Sequence, residues 1–538
     1  MKHLPPSPAG EARGLREMNA IVRHTGADAL VAATTNLGID VCFANPGTTE
    51  LALVKALDAA PAIRAVLCLF EGVCTGAADG FGRMAKRPAL TLTHLGPGFA
   101  NGIANLHNAR RAHSPIINLI GDHASWHSAY DPPLHSDIDA LARTVGWVGR
   151  SSSPGSLAAD VEKAWCAAMG APRGVATLVV PSDFQSALVN EHSRPTPALP
   201  RTPVSRADIA QAARIVEGPE ETILLIGGDA LCPEGQILAA SIAAKGQHTR
   251  VMIEMFPARI ERGAGIPRLG RLPYFPEQAM AAIGGARIIL ADTRAPVSYF
   301  GYEGIPSELA PADSIHTLVP EGGDVLEALR ALANAVNAKC EAPSVSRTPR
   351  QEPKSHENDP LEPTSITRLL ADALPEGAIV VTEGSSCSIG FFDAAATAAP
   401  HTILTNTGGA IGLGPPCAVG AALACPDRPV INLQSDGSAL YTLQALWTQA
   451  RERLNVVTLI VANRRYGILQ TELRRAGMNE LTEGALGLTE LSRPDINWVA
   501  LARGLGVEAT RVRTCRELAD TLETVLRSAG PVLVEMVC

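Results

Sequence analysis

The sequence predicts an α/β protein built from three doubly wound parallel-sheet domains in series. Three observations carry this. Short apolar, β-branched stretches alternate with helix-length stretches along nearly the whole chain. Two segments without periodicity break the rhythm: Pro195–Pro203, with four prolines, and 338–362, rich in Pro, Ser and charge. The chain has 538 residues, more than one hydrophobic core organises, so roughly two to four domains are expected.

Residues 1–18 lack the apolar core of a signal sequence and read as a mobile tail. The first unit, 19–190, opens on an amphipathic helix at 21–39 and a strand at 41–47. A strand at 65–70 then leads into a helix at 71–84, and strands follow at 89–94, 116–122 and 175–184. The second unit, 204–337, has strands within 221–231, 250–256 and 286–296, each ending in a turn. Its ILLIGGDA stretch invites a dinucleotide reading, but G-x-G-x-x-G is absent. A Rossmann-like middle domain without a dinucleotide is the expectation. After the 338–362 linker, a third unit at 363–538 has strands at 378–384, 430–436, 456–463 and 531–537.

Composition narrows the function. Hydrophobic residues make up 46% and charged residues 19%, as in ordinary globular proteins. A net charge of −8, with no basic block beyond Arg110-Arg111 and Arg474-Arg475, argues against nucleic acid as a partner. No apolar run is long enough to span a membrane. Eleven cysteines are scattered without C-x-x-C pairs. They read as small core residues of a reducing, cytoplasmic compartment; Cys42, Cys68 and Cys74 lie near motifs but on apolar patterns.

The chemistry concentrates in Val430–Leu469. One strand runs into Ser435-Asp436-Gly437, a helical stretch follows, and a second strand ends at Asn463, 27 positions beyond Asp436. A strand, crossover helix and parallel strand bring both strand ends to one sheet edge. Asp436 and Asn463 therefore meet where α/β folds bind ligands. A carboxylate and a carboxamide there are hard oxygen donors, suited to Mg²⁺ and a phosphorylated ligand.

Together with FANPGTTEL, LFEGVCTGAADGFGRMAKRPA, HLGPGFANGIANLHNA and GGAIGLGPPCAVGAAL, this segment resembles the thiamine diphosphate-dependent decarboxylase and acetohydroxyacid synthase family. The likeness is strongest to benzoylformate decarboxylase and to bacterial acetolactate synthase-like proteins. It implies two thiamine diphosphate-binding-fold domains, one for the pyrimidine and one for the diphosphate, flanking the middle domain. It also implies thiamine diphosphate and Mg²⁺ as cofactors and a 2-keto acid as substrate. A homodimer at minimum, commonly a tetramer, follows from family sites shared between chains.

By the same resemblance Glu71 bonds N1′ of the aminopyrimidine and promotes the imino tautomer, whose N4′ removes the thiazolium C2 proton. An isolated glutamate there could also be an acid favoured by the helix dipole. The Gly409 carbonyl accepts from the 4′-amino group and Ile411 wedges the cofactor, although Gly408–Gly412 also suits a tight turn. Ser385, Ser386, Gly437, Ser438 and Tyr466 line the diphosphate side, and serines in such turns also serve as plain caps. The Arg465 carbonyl joins Asp436 and Asn463 on the metal. Ser435 stands where the family usually has glycine.

His94 matches a proton-relaying histidine, with a histidine held in a packed loop as the alternative, and Thr48 matches an active-site serine. A second histidine is expected from the middle domain, but Tyr299 and Phe300 stand in TRAPVSYFGYEG. His123 and His127 form H-x-x-x-H, but Ala124 replaces the glutamate of a zinc protease, so a substrate-facing loop is preferred. The middle domain lacks the Gly-rich segment with which true acetohydroxyacid synthases hold FAD, so FAD is not expected. The implied reaction cleaves keto carbon from carboxylate and yields an aldehyde or, with a second carbonyl, a 2-hydroxy ketone. An acetolactate synthase is the alternative. A non-catalytic homologue is the rival from another class, and the retention of Glu71, Asp436 and Asn463 speaks against it.

Overall fold

A computed structural model describes residues 24–190, 199, 203–340, 346–347 and 358–538. The tail at 1–18 and most of the 338–362 linker lie outside the described residues. The strands in chain order are β1 (His24–Thr25), β2 (Val41–Asn45), β3 (Arg64–Leu67), β4 (Ala89–His94), β5 (Ile116–Asp122), β6 (Trp147–Arg150), β7 (Val175–Pro181) and β8 (Leu188–Val189). Then come β9 (Thr222–Ile226), β10 (Thr249–Ile253), β11 (Arg259–Arg262), β12 (Gly270–Arg271), β13 (Arg287–Ala291) and β14 (Ile315–Val319). The last six are β15 (Ile379–Thr382), β16 (His401–Thr405), β17 (Val430–Ser435), β18 (Val456–Ala462), β19 (Glu508–Val512) and β20 (Val532–Val537).

Three mostly parallel sheets result. The first has order β3-β2-β4-β5-β7-β6, the middle one β12-β10-β9-β13-β14, and the third β11-β16-β15-β17-β18-β20-β19. Central strands such as β5, β7 and β18 are buried along their whole length, as expected for sheets covered by helices on both faces. Two of the departures from the sequence expectation shape the architecture. The first helix spans Gly26–Asn36, because Thr25 is in extended conformation and forms a capping box with Asp28. A strand from the middle stretch, β11, pairs antiparallel with β16 and completes the third sheet.

The first and third sheets meet through the helices Glu71–Ala85 and Gly414–Ala424. Small residues at the crossing let the backbones touch. A Cβ at Gly80 would lie 2.1 Å from the Cys417 carbonyl oxygen, and one at Gly420 would lie 1.8 Å from that of Ala77. The contact is locked by Arg83, whose guanidinium pairs with Asp79 at 2.6 and 2.7 Å, both side chains being buried. Arg83 also donates to the carbonyls of Ala258 and Thr405, so one side chain ties the first domain to a loop of the middle stretch and to β16. Among the described residues no helix is long and apolar enough to cross a membrane.

Candidate active site

At the carboxyl edge of the first sheet, β4 ends on His94, which pairs with Gly121 of β5. The turn after β2 brings Glu50 under it. Glu50 is fully buried, and its carboxylate accepts from Gly47 N at 2.8 Å and from Thr49 Oγ1 at 2.7 Å. Its Oε2 lies 2.8 Å from His94 Nδ1. With Glu50 ionised, Nδ1 carries the shared proton, which leaves Nε2 to exchange one. The Thr49 hydroxyl lies 3.1 Å from the same Nδ1, whereas Thr48 is exposed at the rim. Glu50 and Thr49 are the partners that sequence reasoning missed.

Glu71 opens the Glu71–Ala85 helix and is buried, with Asn101 Nδ2 donating to its Oε2 at 3.0 Å. Gly98 lies between it and His94: a Cβ there would be 3.0 Å from Glu71 Oε1 and 3.4 Å from His94 Cβ. The structure thus brings these two predicted residues to one glycine.

The third sheet builds a second group. β17 and β18 pair in parallel up to Ser435↔Val461, which sets Asp436 beside the Asn463 turn. Asp436 is buried and accepts from Gly437 N at 2.9 Å and from Arg464 N at 2.7 Å. Among the described residues it forms no ion pair; burial raises its pKa, against the pull of the Arg464 and Gly437 amides and the Arg464 charge. Asn463 Oδ1 accepts from Arg465 N at 3.1 Å. Gly437 gives its face to the Tyr466 ring, which a Cβ would approach to 2.5 Å. Ser438 is buried in the same turn, and Ser385 and Ser386 open the helix Ser385–Ala394 beside it, their side chains lying outside the described part.

Between the two groups runs the turn Gly408–Gly412. His107 Nε2 reaches the Gly408 carbonyl at 3.1 Å, and Asn108 Nδ2 donates to the Ala410 carbonyl at 2.8 Å. Gly409 is exposed at φ 78°, the left-handed region that favours glycine. Ile411 is half-buried. Beneath the turn sits Glu383, which sequence reasoning also missed. It accepts from the amides of Gly412, Leu413 and Gly414 at 2.6, 3.1 and 2.6 Å, from Gln434 Nε2, and from Asn406 Nδ2 at 3.3 Å. Burial pushes its carboxyl up, against the pull of these donors.

The donor set fits Mg²⁺ and a diphosphate. Among the described residues no three His, Cys, Asp or Glu side chains form a metal cluster. An Asp–Asn–carbonyl set instead leaves positions open for phosphate oxygens and water, which is how Mg²⁺ is usually held. A buried carboxylate with no ion-pair partner among the described residues is the observation that favours such an occupant.

A matching family model, "Thiamine pyrophosphate enzyme, N-terminal TPP binding domain", covers residues 24–142, and its C-terminal counterpart covers 386–536. The chain belongs to the thiamine pyrophosphate enzyme family. It is a thiamine diphosphate-dependent enzyme related to both benzoylformate decarboxylase and acetolactate synthase. It is 46% identical over 516 residues to IlvX of Mycobacterium tuberculosis, named for an acetolactate synthase large subunit; 95% of this chain and 98% of that protein align. It is 30% identical over 530 residues to benzoylformate decarboxylase of Pseudomonas aeruginosa, covering 93% and 96%. The fold matches the thiamine diphosphate-dependent 4-hydroxybenzoylformate decarboxylase of Rhodococcus jostii RHA1 at TM-score 0.80 and 24% identity, over 95% and 99% of the two chains.

The remaining sequence candidates fall elsewhere. His123 and His127 stack edge to face at 5.8 Å with Trp126 and Tyr130 nearby, and among the described residues they join no metal cluster. The thiols of Cys42 and Cys417 are pushed up to about 12 by burial, as suits core residues. In the middle domain, the turn amides that would face a ligand are taken by its own carboxylates. Asp292 accepts from Asp229 N and Gly322 N, both at 2.7 Å, and Glu254 from Gly228 N at 3.2 Å. They border a cavity of about 270 Å³ between the middle and first domains, which none of the candidate site residues lines.

Proposed function

We propose that this enzyme, with Mg²⁺ as partner metal, decarboxylates a 2-keto acid to an aldehyde or, by carboligation, to a 2-hydroxy ketone. The observation that carries the reading is the joint presence of a buried Glu71 beside His94 and a buried Asp436, without an ion-pair partner among the described residues, beside Asn463. Bound thiamine diphosphate supplies the nucleophilic carbon and the electron sink. Asp436, Asn463 and the Arg465 carbonyl hold the metal, and Ser385, Ser386, Gly437, Ser438 and Tyr466 line the diphosphate. Glu71 shares a proton with the pyrimidine ring, and the Gly409 carbonyl and Ile411 fix that ring. His94, oriented by Glu50, moves a proton at the substrate, and Thr48 stands exposed in the same turn as Glu50.

The middle-domain carboxylates support a flavin-free enzyme, since they hold the amides that a phosphate would use. A homodimer at least, and a homotetramer as the working assembly, suits the exposed Trp126, Tyr130 and Leu488. A cytoplasmic location accords with the absence of cysteine pairing among the described residues. A second reading, acetolactate synthase, draws on the likeness to IlvX. A panel of 2-keto acids, with aldehyde and 2-hydroxy ketone measured together and with cofactor and Mg²⁺ omitted in turn, tests both. Cofactor-dependent release of an aldehyde or ketone supports the reading, acetolactate as sole product from pyruvate favours the synthase, and no turnover refutes both.

A further inference from the structure

Tyr299 reaches the Gly408–Gly412 turn from the middle domain. Its loop is held on both sides. Ser298 N donates to the Ser307 carbonyl at 2.8 Å and Ser298 Oγ to the Pro306 carbonyl at 2.9 Å. Beyond it, Tyr302 Oη lies 3.4 Å from Glu472 Oε1, and Arg475 stacks 5.3 Å from the Tyr302 ring, both partners being on the helix Gly467–Arg475 that follows the metal turn. The Tyr299 ring packs against Phe300, Tyr274 and Phe256 at 4.8, 5.2 and 5.6 Å. Its hydroxyl rests on Gly409, where a Cβ would come within 1.9 Å of Oη. Both Tyr299 and Gly409 remain partly open to solvent. No hydrogen-bond partner of this hydroxyl appears among the described contacts. A rigidly mounted, polar tip beside the cofactor turn has more use than packing.

We propose that Tyr299 contacts the substrate, its phenol donating the O–H to an oxygen of the 2-keto acid bound beside Gly409. The inference rests on the 2-keto acid reading above. Burial raises the phenol's pKa, with Arg111 pulling the other way, so the group stays a neutral donor across the working pH range. It orients the substrate's carboxylate or carbonyl and takes no part in titration near neutrality.

The test uses Tyr299→Phe and Tyr299→His in the full chain. Calorimetry gives the affinity for thiamine diphosphate with Mg²⁺, and steady-state kinetics use whichever 2-keto acid the wild type turns over. Tyr299→Phe keeps the ring, so cofactor affinity should stay within about twofold while kcat/KM falls roughly 10- to 100-fold, as for a lost hydrogen bond to a charged group. Tyr299→His should add a further limb near neutral pH to the kcat/KM profile, beyond the one that His94 gives the wild type. An unchanged kcat/KM in Tyr299→Phe overturns the inference. So does a loss matched by weakened cofactor binding, which would make Tyr299 a positioning residue of the turn. Wild-type enzyme that cleaves no 2-keto acid brings down the functional reading, and this inference with it.

Discussion

Glu383 offers the sharpest perturbation of the site's architecture. Its carboxylate gathers three consecutive amides, Gly412, Leu413 and Gly414, just after the turn that carries Gly409 and Ile411. Removing it in Glu383→Ala leaves those amides and the Gln434 and Asn406 amino groups to find water in a closed space. Each orphaned donor costs about 1–3 kcal/mol. Relief from burying the charge and partial hydration offset some of this, so a net loss of about 3 kcal/mol is expected. If about 2 kcal/mol of turn ordering is then drawn from cofactor binding, the affinity for thiamine diphosphate falls roughly 30-fold. Glu383→Gln keeps one acceptor but points its own amino group at donors, so it should fall between Ala and wild type. Urea unfolding midpoints and calorimetric titration with thiamine diphosphate and Mg²⁺ read the two effects separately. Midpoints and Kd values within error of wild type for Glu383→Ala would refute the argument.

Other outcomes follow from the same structure. Arg83→Met leaves Asp79 buried without its partner and should lower stability by about 3–5 kcal/mol, measured as a shift in the denaturant midpoint. Asp436→Ala should abolish Mg²⁺-dependent cofactor binding; tight binding by that variant in calorimetry, indifferent to chelator, would contradict the metal assignment. Burial raises the Glu254 carboxyl to about 7 and Asp292 to about 6. The folded protein therefore holds these protons more tightly than the unfolded chain, and their stabilising contribution, present at acid pH, is lost as pH rises toward 7. Glu254→Gln should remove the Glu254 share of this dependence, gaining about 3 kcal/mol relative to wild type between pH 4 and 8 in a series of unfolding midpoints, with the Asp292 share remaining. A constant difference across that range would count against it.

Much of this architecture was legible in the sequence because it is local. Periodicity marks β5, β7, β9, β13, β17 and β18, and the strand–crossover–strand rule brings Asp436 to Asn463 from sequence alone. What stayed hidden depends on contacts far apart in the chain. Nothing around Arg259–Arg262 says that β11 will leave the middle sheet for β16. Glu383 follows a strand like many polar residues, and its meaning comes from three amides about thirty positions away. Thr48 and Thr49 are equivalent on paper, yet the one-turn helix at Thr48–Glu50 directs Thr49 to His94 and leaves Thr48 at the surface. The glutamate three residues after Gly47 was the available signal: such a spacing before a helix marks a carboxylate that folds back on its own turn, and here that carboxylate orients a histidine.

The central claim is that Glu71 activates the cofactor. Hydrogen–deuterium exchange at the thiazolium C2 of bound thiamine diphosphate, followed by quenched-flow NMR in wild type, Glu71→Gln and His94→Ala, tests it most directly. Glutamine keeps the shape but cannot share a proton, so exchange should slow by roughly 10²–10⁴-fold in Glu71→Gln and stay near the wild-type rate in His94→Ala. Exchange at the wild-type rate in Glu71→Gln would contradict the account.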